Sequence, residues 1–474
     1  MYRYIHCVVY LEVKMRFEGH KLIHLIGIGG CSMNGLAQIL CAKGYAVQGS
    51  DRAESPFTQR LNELNIPVVI GHDPKNLGDA DLVIYSAAIK PDNCERQEAE
   101  KRGIPQIERS VALGILSEGY SQVVGIAGCH GKTTITSMVA LICEHCDSGD
   151  GGAHRMDATV HVGGNVDFLN GGVRIGAHDV FITEACEYVE SFLTLRPTIA
   201  LINNIDDDHL DYYRDIDHIV DAFRKYVNLL PENGLFIGCS DDERVKKLMA
   251  EASVKTMSYG ISDADYTPGN VTRDEFGNPS FDVMHEGKSL GRIELSVIGD
   301  YNMLNALAAT VVALSLNAPF EAIKRALGEY KLTQRRFEFM GERNDIRVYH
   351  DYAHHPGEIK AALDAAKNMP HNRLICVFQC NSYSRAKTLF CGDRHYMNSA
   401  DLVLVPDIYP GREVDTGEVH ARDMVDALER TGVNAMYIPT FEEIRAFLDS
   451  YTQPGDVVIT LGSGDVYFQT KKLL

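Results

Sequence analysis

The feature that most constrains this chain is a theme that returns three times, a short β-branched run that ends in glycines. It stands at "LIHLIGIGG" (22–30), "VVGIAGCHG" (123–131) and "DVVITLGSGD" (456–465). Apolar runs of this length, separated by helix-length amphipathic stretches, indicate buried parallel strands in βαβ units. Further strands are expected at "YAVQGSD" and "DLVIYSAA" in the first block, at "DVFITEA" and "TIALINNI" in the middle, and at "LICVFQC" and "DLVLVPD" in the last.

At roughly 150 residues per domain, a chain of 474 residues accommodates about three. The expected fold is α/β with a Rossmann-like N-terminal domain over 1–122, a central P-loop ATPase domain with a mostly parallel sheet over 123–333, and a doubly wound C-terminal domain over 334–474. The breaks are expected after "LSEGYSQ" and within "KLTQRRFEF". The polar, glycine-rich stretch over 147–158 reads as a surface loop. Residues 262–292 read as hairpins attached to the central domain.

Composition removes several classes of partner. Acidic residues outnumber basic ones by 65 to 46, a net charge of −19, which argues against nucleic acid or an anionic membrane surface. No apolar run reaches the roughly 18 residues that cross a bilayer. The first fourteen residues carry a short apolar patch broken by Glu12 and Lys14, without a small-residue cleavage site. They read as an alternative start or an added tail ahead of Met15, not as a signal peptide. Twelve cysteines without a secretion signal are expected to remain thiols in a reducing cytosol. Cys143 and Cys146 have zinc-ligand spacing, but no second pair follows, so thiols near a helix end are expected, with a minor metal site completed by His145 and His154 as the alternative.

The first glycine turn, Gly27, Gly29 and Gly30, follows a strand and precedes the helical "MNGLAQILCAKG". Glycines there permit a tight turn and let backbone amides approach a pyrophosphate at a helix N-terminus. Asp51 ends the next strand, where a carboxylate can hydrogen-bond a ribose or base. The pattern departs from a strict G-x-G-x-x-G, because Ser32 holds the last position and Gly35 comes later.

The second turn carries Gly128, Cys129, His130, Gly131, Lys132, Thr133 and Thr134. A nest of amides can hold phosphates, Lys132 can reach the β- and γ-phosphates, and Thr133 can ligate Mg²⁺. The common loop has glycine where Ile126 stands, and Gly125 comes one residue early. Glu184 closes the strand "DVFIT", and His209 follows the next strand in "NNIDDDHLDYY". A hard carboxylate suits Mg²⁺, whereas a histidine beside it marks a particular kind of site. Asp207 in the aspartate run reads as part of a solvated loop.

Together the segments "GIGGCSMNGLA", "GCHGKTT", "EACEY", "NNIDDDHLDYY", "GDYNMLNALAA", "RRFEFMGE" and "HDYAHHPGEI" resemble the ATP-dependent muramyl ligases of peptidoglycan synthesis, in order, from about residue 22 to the end. The resemblance implies an amide ligase that joins L-alanine to the lactyl carboxylate of UDP-N-acetylmuramate, using ATP and Mg²⁺. It gives the two cradles separate tasks, one for UDP and one for ATP. The first turn, with Asp51 and Ser86, looks like the UDP site, and residues 128–134 look like the triphosphate loop. Asn302 and Asn305 match positions that face adenine, Arg336 one that reaches the phosphates, and Asp351 one that holds the ATP ribose. Thr133, Glu184 and His209 match metal-binding positions. His354, His355 and Arg385 fall in blocks that line the amino-acid side, and His130 is placed to orient the acyl oxygen.

The implied chemistry is physically coherent. A carboxylate is too poor an electrophile for an amine, since its charge resists attack and oxide does not leave. Transfer of a γ-phosphoryl group turns it into an acyl phosphate, a step of positioning and charge neutralisation by Lys132 and Mg²⁺. An amine then attacks the acyl carbon and phosphate departs. The site must exclude water, so domain closure is expected.

Two departures from the family bear on substrate. Cys380, Asn381 and Ser382 stand in "CNSYSR" where members commonly have "PHRYSR", leaving Arg385 as the retained guanidinium. Ser382 cannot hold a carboxylate through two parallel hydrogen bonds as arginine does. His350 replaces a frequent aspartate. The rival readings are a ligase that adds another amino acid or a recycled peptide, a non-catalytic homologue that binds UDP-sugar and ATP, and an oxidoreductase, which leaves the second loop idle.

Overall fold

The computed structural model describes residues 17–147, 156–177, 179–210, 212–332, 335–392, 395–411 and 413–473. The first fourteen residues and the 148–155 part of the expected surface loop lie outside them. The chain forms two compact units, one made of the chain up to Asp265 with Ala308–Ile323, the other of Tyr266–Leu307 with Lys324–Leu474.

The first unit opens with a parallel sheet of β1 (Ile23–Ile26), β2 (Val47–Asp51), β3 (Val68–Ile70), β4 (Leu82–Tyr85) and β5 (Gln106–Glu108). The strand order is β3-β2-β1-β4-β5, so the order reverses beside β1, the position at which open α/β sheets generally take their ligands, outside the carboxyl ends of the strands. Helix α1 (Cys31–Ala42) leaves β1 through the first glycine turn, and helix α2 (Arg109–Ser117) follows β5 directly.

The chain then enters β6 (Gln122–Ala127), helix α3 (Lys132–Asp147), β7 (Thr159–Val166), β8 (Gly171–Arg174), β9 (Val180–Glu184), β10 (Ile199–Ile202), β11 (Leu235–Cys239) and β12 (Lys255–Tyr259). These run in the order β12-β11-β10-β6-β9-β7-β8, parallel except for the antiparallel β7–β8 pair. Strands expected from apolar runs form at every site named above, because residues such as Ile199–Ile202 are buried on both faces. Apolar residues from both sheets, from Phe17 to Leu248, make one continuous cluster.

In the second unit, β13 (Tyr266–Arg273), β14 (Pro279–His285) and β15 (Lys288–Glu294) form an antiparallel meander. These are the expected hairpins, and they stand in one sheet order with β12. Helix α4 (Asp300–Ser315) follows. The last sheet contains β16 (Glu338–Arg343), β17 (Ile346–Asp351), β18 (Leu374–Phe378), β19 (Leu402–Val405), β20 (Ala435–Tyr437) and β21 (Val457–Leu461). Its order is β16-β17-β21-β18-β19-β20, parallel apart from β16. Helix α5 (Pro356–Lys367) starts with His355 as its cap. Among the described residues no helix is long and apolar enough to cross a membrane.

Candidate active site

In the first cradle Gly27 adopts φ +81° and Gly30 forms the N-cap of α1. Gly29 donates its amide to Asp51 Oδ2 at 2.9 Å. A Cβ at Gly29 would lie 2.9 Å from that oxygen and 2.7 Å from Thr58 Cγ2, so the position must be glycine. Asp51 thus braces the turn, and Ser86 sits beside it, its Cβ 3.5 Å from where a Gly27 Cβ would stand. Ser86 Oγ accepts from the Ala88 amide at 3.2 Å.

The second cradle follows β6. Gly128 and Gly131 adopt φ +135° and +84°, values open to glycine and strained for other residues. Gly125, one residue early for a phosphate loop, is a packing residue of β6. A Cβ there would overlap the Tyr226 hydroxyl at 1.9 Å. Asn203 and Asn204 clamp the loop at His130. The His130 amide donates to Asn204 Oδ1 at 2.8 Å, and both asparagine amides donate to the His130 carbonyl at 3.0 and 3.1 Å. The His130 ring lies 3.2 Å from Asp206 Oδ2. Cys129 is buried, which pushes its thiol pKa well above the ordinary value.

Lys132 folds back over its own loop, donating to the Gly128 carbonyl at 2.5 Å and the Cys129 carbonyl at 3.2 Å. It also meets Glu187, 2.9 Å from Oε1 and 2.8 Å from Oε2. Glu187 is 1 % exposed. Burial alone would push its pKa up and that of Lys132 down, but each charge holds the other ionised. His209 Nε2 lies 3.5 Å from Glu187 Oε1 and 3.8 Å from Asp208 Oδ2. Donor atoms of Glu187, Asp208 and His209 all fall within 4.8 Å of one another.

Within the expected trio of Thr133, Glu184 and His209, the first two meet directly. Thr133 Oγ1 donates to Glu184 Oε2 at 3.2 Å, and the Gly163 amide donates to Glu184 Oε1 at 2.5 Å. His209 stands with Glu187 and Asp208. Sequence reasoning missed both carboxylates, although "EACEYVE" offered Glu187 three residues after Glu184. The aspartate run is not all solvated loop, since Asp208 is 7 % exposed. Glu187 is fixed by an unusual turn, because Val189 and Glu190 both adopt left-handed φ, +50° and +57°. A β-branched residue is a genuine outlier there. The Tyr213 hydroxyl donates to the Glu187 carbonyl.

In the second unit Asn302 and Asn305 are buried on α4, 3.4 Å apart, with Asn302 Nδ2 donating to the Ile298 carbonyl at 2.7 Å. Asp351 is buried and accepts from the Phe337 and Ala353 amides, both at 2.7 Å. Burial pushes its carboxyl pKa up to about 6, against the pull of Arg336 and those amides. Arg336 Nη1 lies 3.8 Å from Glu358 Oε1, and His354 Nδ1 lies 3.3 Å from Glu358 Oε2. His355 Nδ1 accepts the Gly357 amide at 3.3 Å. Around the departing segment, Asn381 Nδ2 donates to Ser463 Oγ at 2.7 Å, and Ser382, at φ +92°, accepts the Arg385 amide on Oγ at 3.3 Å. His350 is fully buried, with Nδ1 2.9 Å from Thr460 Oγ1. Cys143 is buried on α3 with Sγ 3.6 Å from Met156 Sδ, and neither it nor Cys146 joins a three-donor grouping among the described residues.

Three family models match the chain in succession. They are "Mur ligase family, catalytic domain" over 22–121, "Mur ligase middle domain" over 126–313, and "Mur ligase, glutamate ligase domain" over 335–464. The chain is 43 % identical to UDP-N-acetylmuramate–L-alanine ligase of Clostridium tetani over 447 residues, 94 % of this chain and 96 % of that protein. The protein of the same name from Clostridium acetobutylicum is 44 % identical over 447 residues, with 94 % and 96 % covered. Among solved structures, UDP-N-acetylmuramate–alanine ligase MurC of Thermotoga maritima matches with a TM-score of 0.75 and 27 % identity, covering 96 % of this chain and 98 % of that one. Two glycine cradles, a lysine held by a buried glutamate, and full-length agreement with these relatives converge: the chain belongs to the Mur ligase family.

Proposed function

We propose that the protein joins L-alanine to the lactyl carboxylate of UDP-N-acetylmuramate, with ATP converting that carboxylate to an acyl phosphate, for peptidoglycan synthesis in the cytoplasm. The observation that carries this reading is the phosphate loop whose Lys132 faces Glu187 in the Glu187–Asp208–His209 cluster, in a unit that also holds the first glycine cradle. The domains divide at 122/123 and 333/334 into a UDP-sugar domain, an ATP domain and an amino-acid domain. The full-length relatives, which bear the name of this activity, support the substrate pair.

Gly27, Gly29, Gly30, Asp51 and Ser86 receive the sugar nucleotide. Residues 128–134 cradle the triphosphate, and Asn302, Asn305, Arg336 and Asp351 take the adenosine side. His354, His355 and Arg385 line the amino-acid side. Glu187, Asp208 and His209 offer hard oxygen donors with one imidazole, and Thr133 with Glu184 offers a second oxygen pair, so the residues fit Mg²⁺. Bound there, Mg²⁺ supplies charge neutralisation at the phosphates. Lys132 exchanges Glu187 for phosphate oxygens as the triphosphate arrives, carrying its positive charge to where negative charge develops. His130, steered by Asp206, orients the acyl oxygen. Asn381 and Ser382 supply only neutral groups, so Arg385 is the cation left for the amino-acid carboxylate, and one guanidinium is enough for a small amino acid.

Purified protein is expected to release phosphate from ATP only when UDP-N-acetylmuramate, Mg²⁺ and an amino acid are all present. A panel of amino acids, read by phosphate release and product mass, identifies the one added, with L-alanine expected. Equal phosphate release without any amino acid would sink the ligase reading.

A further inference from the structure

The third glycine turn, Gly462 to Asp465, follows β21 and belongs to neither nucleotide cradle. Its contacts show what it serves. Asn381, in the loop after β18, donates from Nδ2 to Ser463 Oγ at 2.7 Å. The same loop meets the one after β19. The Ser382 amide donates to the Tyr409 carbonyl at 2.8 Å, and the Tyr409 amide to the Cys380 carbonyl at 2.9 Å. Glycines make room for this meeting. A Cβ at Gly464 would stand 3.0 Å from Tyr409 Cγ, and one at Gly411 would stand 3.0 Å from Asn381 Oδ1. The loops of three adjacent strands, β21, β18 and β19, thus converge on Asn381 and Ser382.

They hold a costly piece of backbone there. Ser382 adopts φ +92° and ψ +147°, a region that suits glycine and strains a residue with a Cβ. Tyr383–Arg385 then forms a single turn, with Ser382 Oγ accepting the Arg385 amide at 3.3 Å. Ala386–Phe390 continues as a π-helical turn, a second rare conformation. Arg385 therefore stands between two unfavourable stretches of backbone. Such stretches persist only where surrounding contacts over-determine them, and they gather at functional sites. The β19 loop supplies the remaining contacts. Glu413 Oε2 accepts the Ser384 amide at 3.0 Å, and Oε1 accepts the Ser384 hydroxyl. Desolvation would raise the Glu413 carboxyl pKa, but hydrogen bonds from Ser384, Tyr383 and Ser382 hold it below the ordinary value.

We propose that Ser463 and Glu413 are positioning residues for Arg385. Ser463 braces the strained segment through Asn381, Glu413 braces it through Ser384, and together they aim the guanidinium at the carboxylate of the incoming amino acid. This rests on the reading that Arg385 takes that carboxylate. The turn is set before the amino acid arrives, so less conformational freedom is lost when it binds.

The test is steady-state phosphate release by the full-length protein, with ATP and UDP-N-acetylmuramate saturating and L-alanine varied. The variants are Ser463→Ala, Glu413→Ala, Glu413→Gln, Arg385→Ala, and Arg385→Ala combined with each of the first two. Ser463→Ala and Glu413→Ala should each raise KM for L-alanine by about 3- to 10-fold, the worth of one partly exposed hydrogen-bonded brace. Turnover and the KM values for ATP and UDP-N-acetylmuramate should stay within about twofold. Glu413→Gln, which still accepts the Ser384 amide, should recover part of the loss. Neither alanine variant should lower kcat/KM for L-alanine further once Arg385 is alanine, because both act through that guanidinium. An unchanged KM for L-alanine in either variant would overturn the proposal. So would equal rises in KM for all three substrates, the mark of a general structural loss, or effects that simply add to that of Arg385→Ala. Wild-type phosphate release that ignores every amino acid would refute the reading of Arg385, and the proposal with it.

Discussion

Each compact unit encloses a buried histidine whose neutral form the fold favours, His161 in the first and His350 in the second, and the two units should respond differently to acid. His161 and His350 are 2 % and 0 % exposed. Burial, assisted by Arg109 and Arg335 respectively, pulls their pKa values from 6.5 to about 4 and about 3. Below pH 6.5 the unfolded chain therefore binds protons that the folded chain refuses. The stability each contributes is complete above pH 6.5 and falls as pH drops towards the folded value. Between pH 7.5 and 5.0 each histidine should cost about 2 kcal/mol by this linkage.

Asp351, in the second unit, acts in the opposite direction. Its folded pKa is raised from 3.8 to about 6, so its burial is least costly at low pH, and stability is lost as pH rises through 6. Acidification to pH 5.0 should return about 1.4 kcal/mol. The first unit should then lose about 2 kcal/mol and the second about 0.6 kcal/mol. Native-state hydrogen exchange, read by mass spectrometry on peptides covering β7 and β17 after correction for intrinsic rates, measures the two separately. A His161→Gln variant, which cannot titrate, should flatten the β7 response. Equal losses in both units, or a first unit indifferent to acid, would refute the reasoning.

Two further outcomes concern the second cradle. Lys132→Met or Glu187→Gln alone leaves a buried charge without its partner and should cost roughly 3–5 kcal/mol. The double variant should cost about 1–3 kcal/mol less than the sum. Urea unfolding measures the cycle, and strict additivity would show that the pair does not interact. Val189→Gly should relieve a left-handed β-branched residue and stabilise the protein by about 1 kcal/mol, while lowering phosphate release because Glu187 is held less firmly. A variant that is both less stable and fully active would contradict the role given to that turn.

Much of the architecture was legible in short stretches of sequence. Strand positions follow from apolar runs, and the two cradles follow from glycines placed between a strand and a helix. These features are local, since the period of burial and the φ of a turn are set by residues a few positions apart. The family resemblance likewise rested on short blocks in fixed order. Where local reading went astray, the deciding contact was distant. Gly125 resembles a displaced loop glycine until Tyr226 is seen to occupy the space of its missing Cβ.

The same distinction separates the two glutamates. Glu184 and Glu187 stand three residues apart in one segment, and both are plausible partners for a phosphate loop. Which one faces Lys132 depends on the left-handed turn at Val189 and Glu190, a conformation that a valine argues against. Lys132 and Glu187 are 55 positions apart, Arg109 and Ser32 are 77, and His161 and Ser32 are 129. By itself the sequence determined the strand periodicity, the two glycine turns and the family. Only the tertiary structure decided which carboxylate holds the lysine, which side chains meet Ser32 and which one fills the space beside Gly35. Those choices arise from side chains brought together by sheet order and helix docking, and no local pattern encodes a neighbour that far along the chain.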